Sequence, residues 1–215
     1  MYFDCAEMIY DITRTISPSL AVWPGDTPFS FENNLQLADG DAVNLTTLTM
    51  SAHTGTHADA HYHYAQHGEH PAQMPLDVYF GPAQVITVSK QAGPLTPQDF
   101  ADLNLSDVSR LLIHSHVSDL DDHQWPDAFP SLSVDLINWF AKNDIILVGL
   151  DSPSVDAPDS TDLPCHHALY RHRISNLENL QLRGVPDGCY ELIALPLKID
   201  QVCGSPIRAI LRTLP

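Results

Sequence analysis

Basic side chains are scarce in this chain of 215 residues: 10 Lys and Arg stand against 27 Asp and Glu, a formal charge of −17. A surface this negative repels a phosphate backbone, which excludes nucleic-acid binding as the main activity, and it gives no hold on an anionic bilayer. Long apolar runs are missing too. The longest, from Ile145 to Leu150, falls far short of the about 20 residues that a bilayer-spanning helix needs. Residues 1–10 carry Asp4 and Glu7 and no basic start, so no secretory leader is expected. Cysteine is sparse: Cys5, Cys165, Cys189 and Cys203 form no CxxC pair and no dense framework. Free thiols in a reducing cytoplasm are the expectation.

The remaining composition is that of a globular protein. Hydrophobic residues make up 44% of the chain, enough for a core, and the length suits one domain over residues 1–215. No repeat or low-complexity linker divides it. Strands are expected at Met8–Thr15, Asn44–Ser51, Gln84–Val88, Arg110–His114, Ile145–Leu150, Tyr190–Leu195 and Arg208–Leu211. Short helices are expected after Thr96-Pro97, after the N-cap Ser133 over Val134–Lys142, and around His166–Arg173. Strands dominate and helices alternate with some of them, which predicts an α/β domain with a mixed sheet and flanking helices.

The densest chemistry lies in residues 53–63, His-Thr-Gly-Thr-His-Ala-Asp-Ala-His-Tyr-His. Imidazole nitrogens and carboxylate oxygens are the donors that zinc takes outside thiolate sites. His53, His57 and Asp59 supply three ligands and leave a position open, the pattern of a catalytic rather than a structural metal. His63 stays close enough to act on whatever the metal activates. Thr54-Gly55-Thr56 is poor helix, so Gly55 is the expected pivot of a bend. Beyond it, an extended segment presents His57, Asp59, His61 and His63 on one side. Chance clustering among 12 His and a purely structural metal site are the bland alternatives. His67, His70, His114, His116, His123, His167 and His172 read as solvated or structural residues.

Further donors lie far along the chain. Cys165-His166-His167 offers ligands, and Glu178 sits between Leu177 and Leu180 once Asn179 is passed. A carboxylate among leucines is costly unless paired or metal-bound, although a surface strand accommodates it equally well.

With these residues in hand, the chain resembles the bacterial kynurenine formamidases of the cyclase-like metal hydrolase superfamily. The superfamily pattern HxGTHxDxPxH is matched at His53, Gly55, Thr56, His57, Asp59 and His63, with His61 standing where the pattern has proline. Trp23-Pro24-Gly25-Asp26-Thr27-Pro28, the segment Asp151–Asp156, Glu178-Asn179-Leu180, Tyr190–Leu197 and Ser205–Ala209 are similar to the same subfamily. The resemblance implies a swivelling β/β/α cyclase-like fold and a homodimer. It implies one zinc at His53, His57 and Asp59, and a second bridged by Asp59 and Glu178 and completed by His166, with manganese or cobalt as alternative metals. It further implies His63 as proton donor and acceptor and Trp23 in the substrate pocket. The implied reaction is hydrolysis of N-formyl-L-kynurenine to L-kynurenine and formate by metal-activated water. An isatin-hydrolase-like amide or lactone hydrolase and a non-catalytic metal-binding protein are the competing readings. His61 either loosens the backbone before His63 or adds a ligand.

Overall fold

The computed structural model describes residues 8–105 and 108–214; Asp4, Cys5 and Glu7 lie outside them. The first half of the chain forms β1 (Ile9–Asp11), β2 (Ser30–Leu35), β3 (Leu45–Thr49), β4 (His57–Asp59), β5 (Phe80–Thr87), β6 (Gly93–Leu95) and β7 (Arg110–His114). Then follow β8 (Pro130–Leu132), α1 (Val134–Lys142), β9 (Leu147–Leu150), α2 (Pro164–His172), β10 (Ser175–Glu178), β11 (Gly188–Ile193), β12 (Gly204–Pro206) and β13 (Ile210–Thr213). Among the described residues, nine strands join in the order β1-β13-β11-β5-β7-β9-β10-β4-β12. The middle of this sheet, β5-β7-β9-β10, is parallel, and its flanks are antiparallel. The mixed α/β sheet expected from the sequence is present.

The central strands β7 and β9 are largely apolar without alternation because both faces are covered. Leu111, Ile113, Val148 and Leu150 pack with Leu136, Ile137 and Phe140 of α1 and with Ala168 and Leu169 of α2. Leu112, Leu147 and Leu177 face the opposite core, which gathers Leu192 and Leu211 from one end of the sheet and Ala58 and Ile207 from the other. Residues from both ends meet there because the sheet curls around them. Gly149 permits this packing: a Cβ on it would lie 2.6 Å from Leu112 Cδ2 and 2.7 Å from Leu180 Cδ1. At the C-terminal end of β9, the Asp151 carboxylate accepts from the Ser115 amide at 2.8 Å and hydroxyl at 2.7 Å, and from the Ser118 amide at 3.1 Å and hydroxyl at 2.9 Å. This buried carboxylate is fully occupied in fastening loops.

Several elements differ from the sequence expectation, each for a local reason. The helix expected after Thr96 is one 3-10 turn, Pro97–Phe100, closed by Asp99 accepting from the Thr96 amide at 2.7 Å. The last strand starts at Ile210 rather than Arg208. Ala209 is held out of that ladder by bonds to the Thr13 hydroxyl and the Ile12 amide. The strand expected at Asn44–Ser51 is β3, but it pairs only with β2 in a ribbon apart from the main sheet. Every side chain of β2 is exposed, so it carries no alternation that a periodicity argument can detect.

Candidate metal centre

The histidine segment is shaped by two breaks in regular structure. Gly55 has φ +64°, and a Cβ on it would press on Leu20 Cδ2 at 3.2 Å and Ile16 Cγ1 at 3.3 Å. The bend expected at this glycine is there. The chain then enters β4, where His57 stands opposite Glu178 of β10 and Asp59 stands opposite Gly204 of β12. Ala58, between them, points into the core. After Asp59 the extended conformation ends, and His61–His63 forms a 3-10 turn. The single-sided array expected for residues 57, 59, 61 and 63 therefore stops at Asp59. His61 turns to Glu69, with Nδ1 and Oε2 2.8 Å apart, and has no place in any metal-capable group among the described residues.

Five side chains converge from three segments remote in sequence. Asp59 Oδ1 faces His53 Nδ1 at 2.9 Å and His57 Nε2 at 3.3 Å. Its Oδ2 faces His166 Nε2 at 3.3 Å. Glu178 reaches His57 Nε2 with Oε2 and His166 Nε2 with Oε1, both at 3.5 Å. Asp59 and Glu178 thus each divide their two oxygens between the His57 side and the His166 side.

The rings are oriented from behind. His57 Nδ1 donates to the Gly55 carbonyl at 2.9 Å, and His166 Nδ1 donates to Asp156 Oδ2 at 2.7 Å. Both rings consequently aim Nε2 at the carboxylates, the tautomer that a carboxylate- or carbonyl-backed metal ligand adopts. Asp156 also accepts from the Cys165 and His166 amides at 2.9 and 3.0 Å, so it fixes the start of α2 as well as the ring. Asn176 donates to Asp59 Oδ2 at 2.8 Å and Glu178 Oε1 at 3.2 Å, and the Val155 amide donates to Glu178 Oε1 at 3.0 Å. His57 Nε2 and Asp59 Oδ1 remain buried without a hydrogen-bond partner. Buried polar atoms seldom stay unpaired. His57 Nε2 and Asp59 Oδ1 face each other at 3.3 Å, with His53 Nδ1 2.9 Å from the same oxygen, and together they offer ligand atoms within 4.8 Å of one another, which fits a divalent cation.

The electrostatics agree. Burial opposes charge on His53, but its contacts with Asp59 and Cys203 prevail and raise it to about 10. The same opposition at His57, won by Asp59 and Glu178, raises it to about 9. Burial also opposes charge on His166, and Asp156, Asp59 and Glu178 lift it well above the usual imidazole range. Asp59 is held well below the ordinary carboxylate range by the three imidazoles despite its burial. Cys203 is lowered to about 6 by hydrogen bonds from His53 and His63. These shifts favour a positively charged imidazole cluster against the two carboxylates, the charge balance that a bound cation would also supply.

Above the cluster lies a cavity of about 280 Å³ lined by Trp23, Asp26, His53, His63, Pro153, Ser154, Leu163, His166 and Glu178. His63 is exposed at its mouth, its ring centroid 4.1 Å from that of His53 and 5.9 Å from that of His166. Trp23 is 41% exposed and meets Trp125 edge-on at 5.3 Å. All seven site residues expected from the sequence, Trp23, His53, His57, Asp59, His63, His166 and Glu178, line this cavity or its floor. Of the two adjacent candidates on α2, His166 is buried in the cluster and His167 is exposed. Sequence reasoning missed Asn176, Asp156 and Cys203. Asn176 had a usable signal: two residues before Glu178 on one strand, it shares that residue's face.

Metal uptake by the metal-free protein should release protons, because ligand imidazoles bind only when deprotonated. The affinity should climb with pH as the cluster imidazoles lose their protons, His57 at about 9 and His53 at about 10, with His166 also raised. Zinc titration in weakly buffered solution with a pH indicator measures this. Uptake without proton release removes the imidazolium arrangement.

Residues 10–157 match the Cyclase family profile. The chain is 43% identical over 208 residues to the kynurenine formamidase of Salinibacter ruber, covering 96% of this chain and 98% of that one. It is 40% identical over 204 residues to the kynurenine formamidase of Bacillus cereus, covering 95% and 97%. Isatin hydrolase A from Labrenzia aggregata has a similar structure, with a TM-score of 0.83, 26% identity and coverage of 98% and 95%. With a profile match over most of its length and relatives at 40% identity or more over at least 95% of it, the chain belongs to the cyclase family, in the group of the bacterial kynurenine formamidases.

Proposed function

We propose that this protein hydrolyses N-formyl-L-kynurenine to L-kynurenine and formate, using two zinc ions per subunit. Membership among the formamidases makes it an amide-bond hydrolase; the substrate, the metal and the division of roles are our reading. The observation that carries it is the buried cluster of three imidazoles and two carboxylates, under a cavity rimmed by an indole and an exposed imidazole. His53, His57 and Asp59 would hold one ion, and Asp59, Glu178 and His166 the other. Oxygen and nitrogen donors of this kind also suit manganese and cobalt.

Divalent cations held there would supply Lewis acidity, which for zinc lowers the pKa of water to about 7. The chain supplies the rest. Asp156 and Asn176 keep His166, Asp59 and Glu178 in place, so little reorganisation accompanies the reaction. In the overall reaction, water adds to the formyl carbon and the C–N bond breaks. His63, at the exposed mouth, takes a proton from the attacking water and passes it to the departing aryl nitrogen. Trp23 stacks on the substrate's ring, and Asp26 offers a negative charge to its α-ammonium. Manganese or cobalt substitution alters the cation and leaves these protein roles unchanged.

The setting follows from other features. Cys165, Cys189 and Cys203 are all unpaired, in keeping with a reducing cytoplasm, and no helix among the described residues is long and apolar enough to cross a membrane. The β2–β3 ribbon exposes Phe31, Leu35, Leu45 and Leu48 at 37–57%. A two-stranded ribbon is marginal alone, and a second copy of the chain covers it in a homodimer.

Turnover of N-formylkynurenine, measured with metal content on the same sample, tests the reading. Chelation should abolish both together and zinc should restore both; full activity in metal-free protein overturns it. His63→Ala should retain zinc and lose about 10²–10⁴-fold in kcat, whereas undiminished turnover excludes the proton-transfer role. Trp23→Ala should mainly raise KM, and an unchanged KM excludes ring stacking. Isatin, run in parallel, distinguishes the activity carried by the structurally similar hydrolase. Sedimentation equilibrium should give twice the chain mass, falling to one chain in Leu48→Asp; a monomeric wild type contradicts the dimer.

A further inference from the structure

We propose that His53, His63 and Cys203 form a further cation site at the mouth of the cavity, outside the inner cluster, one that takes soft divalent ions and inhibits the enzyme when they are in excess. The inhibition rests on the proton-transfer role given to His63 under the proposed function; the binding does not.

The three ligand atoms lie within 4.8 Å of one another. Cys203 Sγ is 3.1 Å from His53 Nε2, and the His53 and His63 rings are tilted by 41° with centroids 4.1 Å apart. Sulfur and nitrogen ligands on one tetrahedral zinc are separated by about 3.5 Å, given bonds of about 2.3 and 2.0–2.1 Å. Small side-chain rotations close this set around an ion. The backbone under the thiol is fixed: the Cys203 carbonyl accepts from the Ala60 amide at 3.0 Å, and Gly204 next in the chain pairs opposite Asp59. A Cβ on Gly204 would lie 2.9 Å from His53 Cε1, so the absent side chain is what lets the ring lie between Asp59 and Cys203.

His53 is shared by the two sites through opposite edges. Its Nδ1 faces Asp59 at 2.9 Å, and its Nε2 faces the thiol. The donor types differ accordingly. The inner cluster has only nitrogen and oxygen, whereas the outer set adds sulfur, the donor that selects zinc and softer metals. Among the described residues, no other cysteine joins a metal-capable group.

An ion entering the outer site binds Cys203 as the thiolate and replaces the Nε2 proton of His53; that proton, and any still on the sulfur, leaves to solvent, and nothing is oxidised or reduced. Having to displace the Nε2 proton of a ring already ligated at Nδ1 makes this the weaker site, filled after the inner cluster. Once filled, it uses the His63 lone pair that would otherwise accept a proton. The result is an enzyme activated by a limiting metal and shut by an excess of it.

The test is a cadmium chloride titration of the zinc-loaded protein, followed by ultraviolet absorbance and by turnover. Sulfur-to-cadmium charge-transfer absorption should saturate in the wild type and be absent in Cys203→Ala and Cys203→Ser. His63→Ala should weaken it. Cadmium exchanging into the inner cluster gives no such band, because that cluster contains no sulfur. Loss of an outer partner alone typically costs about 10–100-fold in metal affinity. The cadmium concentration for half-inhibition, each variant referred to its own starting rate, should therefore rise at least about tenfold without Cys203. A folded Cys203 variant that keeps the band or the wild-type half-inhibition point overturns the site, as does a wild type with no band. If the protein turns over neither N-formylkynurenine nor isatin, the proposed function fails, and the absorbance result still decides the site.

Discussion

Asp59 is the group around which this molecule is organised. Its carboxylate is buried, and it reaches His53, His57 and His166 while accepting from Asn176. An isolated carboxylate at that depth would be several kcal/mol too costly to keep ionised. Three imidazoles and an amide offset that cost, and they come from three segments of the chain. Ionising Asp59 and assembling the site are therefore one event.

The sheet makes that event possible. Its short strand β4 lies between β10 and β12, so the residues on either side of Asp59 and His57 are chosen by register. Glu178 falls opposite His57, which brings a second carboxylate to the cluster. Gly204 falls opposite Asp59, where a side chain would collide with His53. The curl that brings Ala58 and Ile207 into one core with Leu192 and Leu211 anchors the same strand that carries His57 and Asp59. Core packing and ligand geometry share a backbone, so neither can shift without the other.

The Asp151–Asp156 segment shows why carboxylates that look alike on paper differ in role. Asp151 is saturated by four donors from Ser115 and Ser118 and serves the fold. Five residues on, Asp156 backs His166 and fastens α2. Neither role depends on composition; each depends on which donors the surrounding loops bring. The same holds for the histidines, where His166 is buried in the cluster and its neighbour His167 faces solvent.

The sequence alone determined the donors and the bend. Nitrogen and oxygen donors at 53, 57 and 59, the glycine that turns the chain between them, and the largely apolar strands at 110–114 and 147–150 are local facts, written in residue type and short spacing. It also carried the resemblance through which His166, Glu178, His63 and Trp23 were expected at the site. Only the tertiary structure decided that His61 leaves the array for Glu69, that Asn176 and Asp156 hold the ligands from behind, and that Cys203 stands 3.1 Å from His53 across 150 residues. The physical reason is that strand register and backbone turns set distances between remote segments. Those depend on the packing of the whole sheet, which no short window of sequence contains.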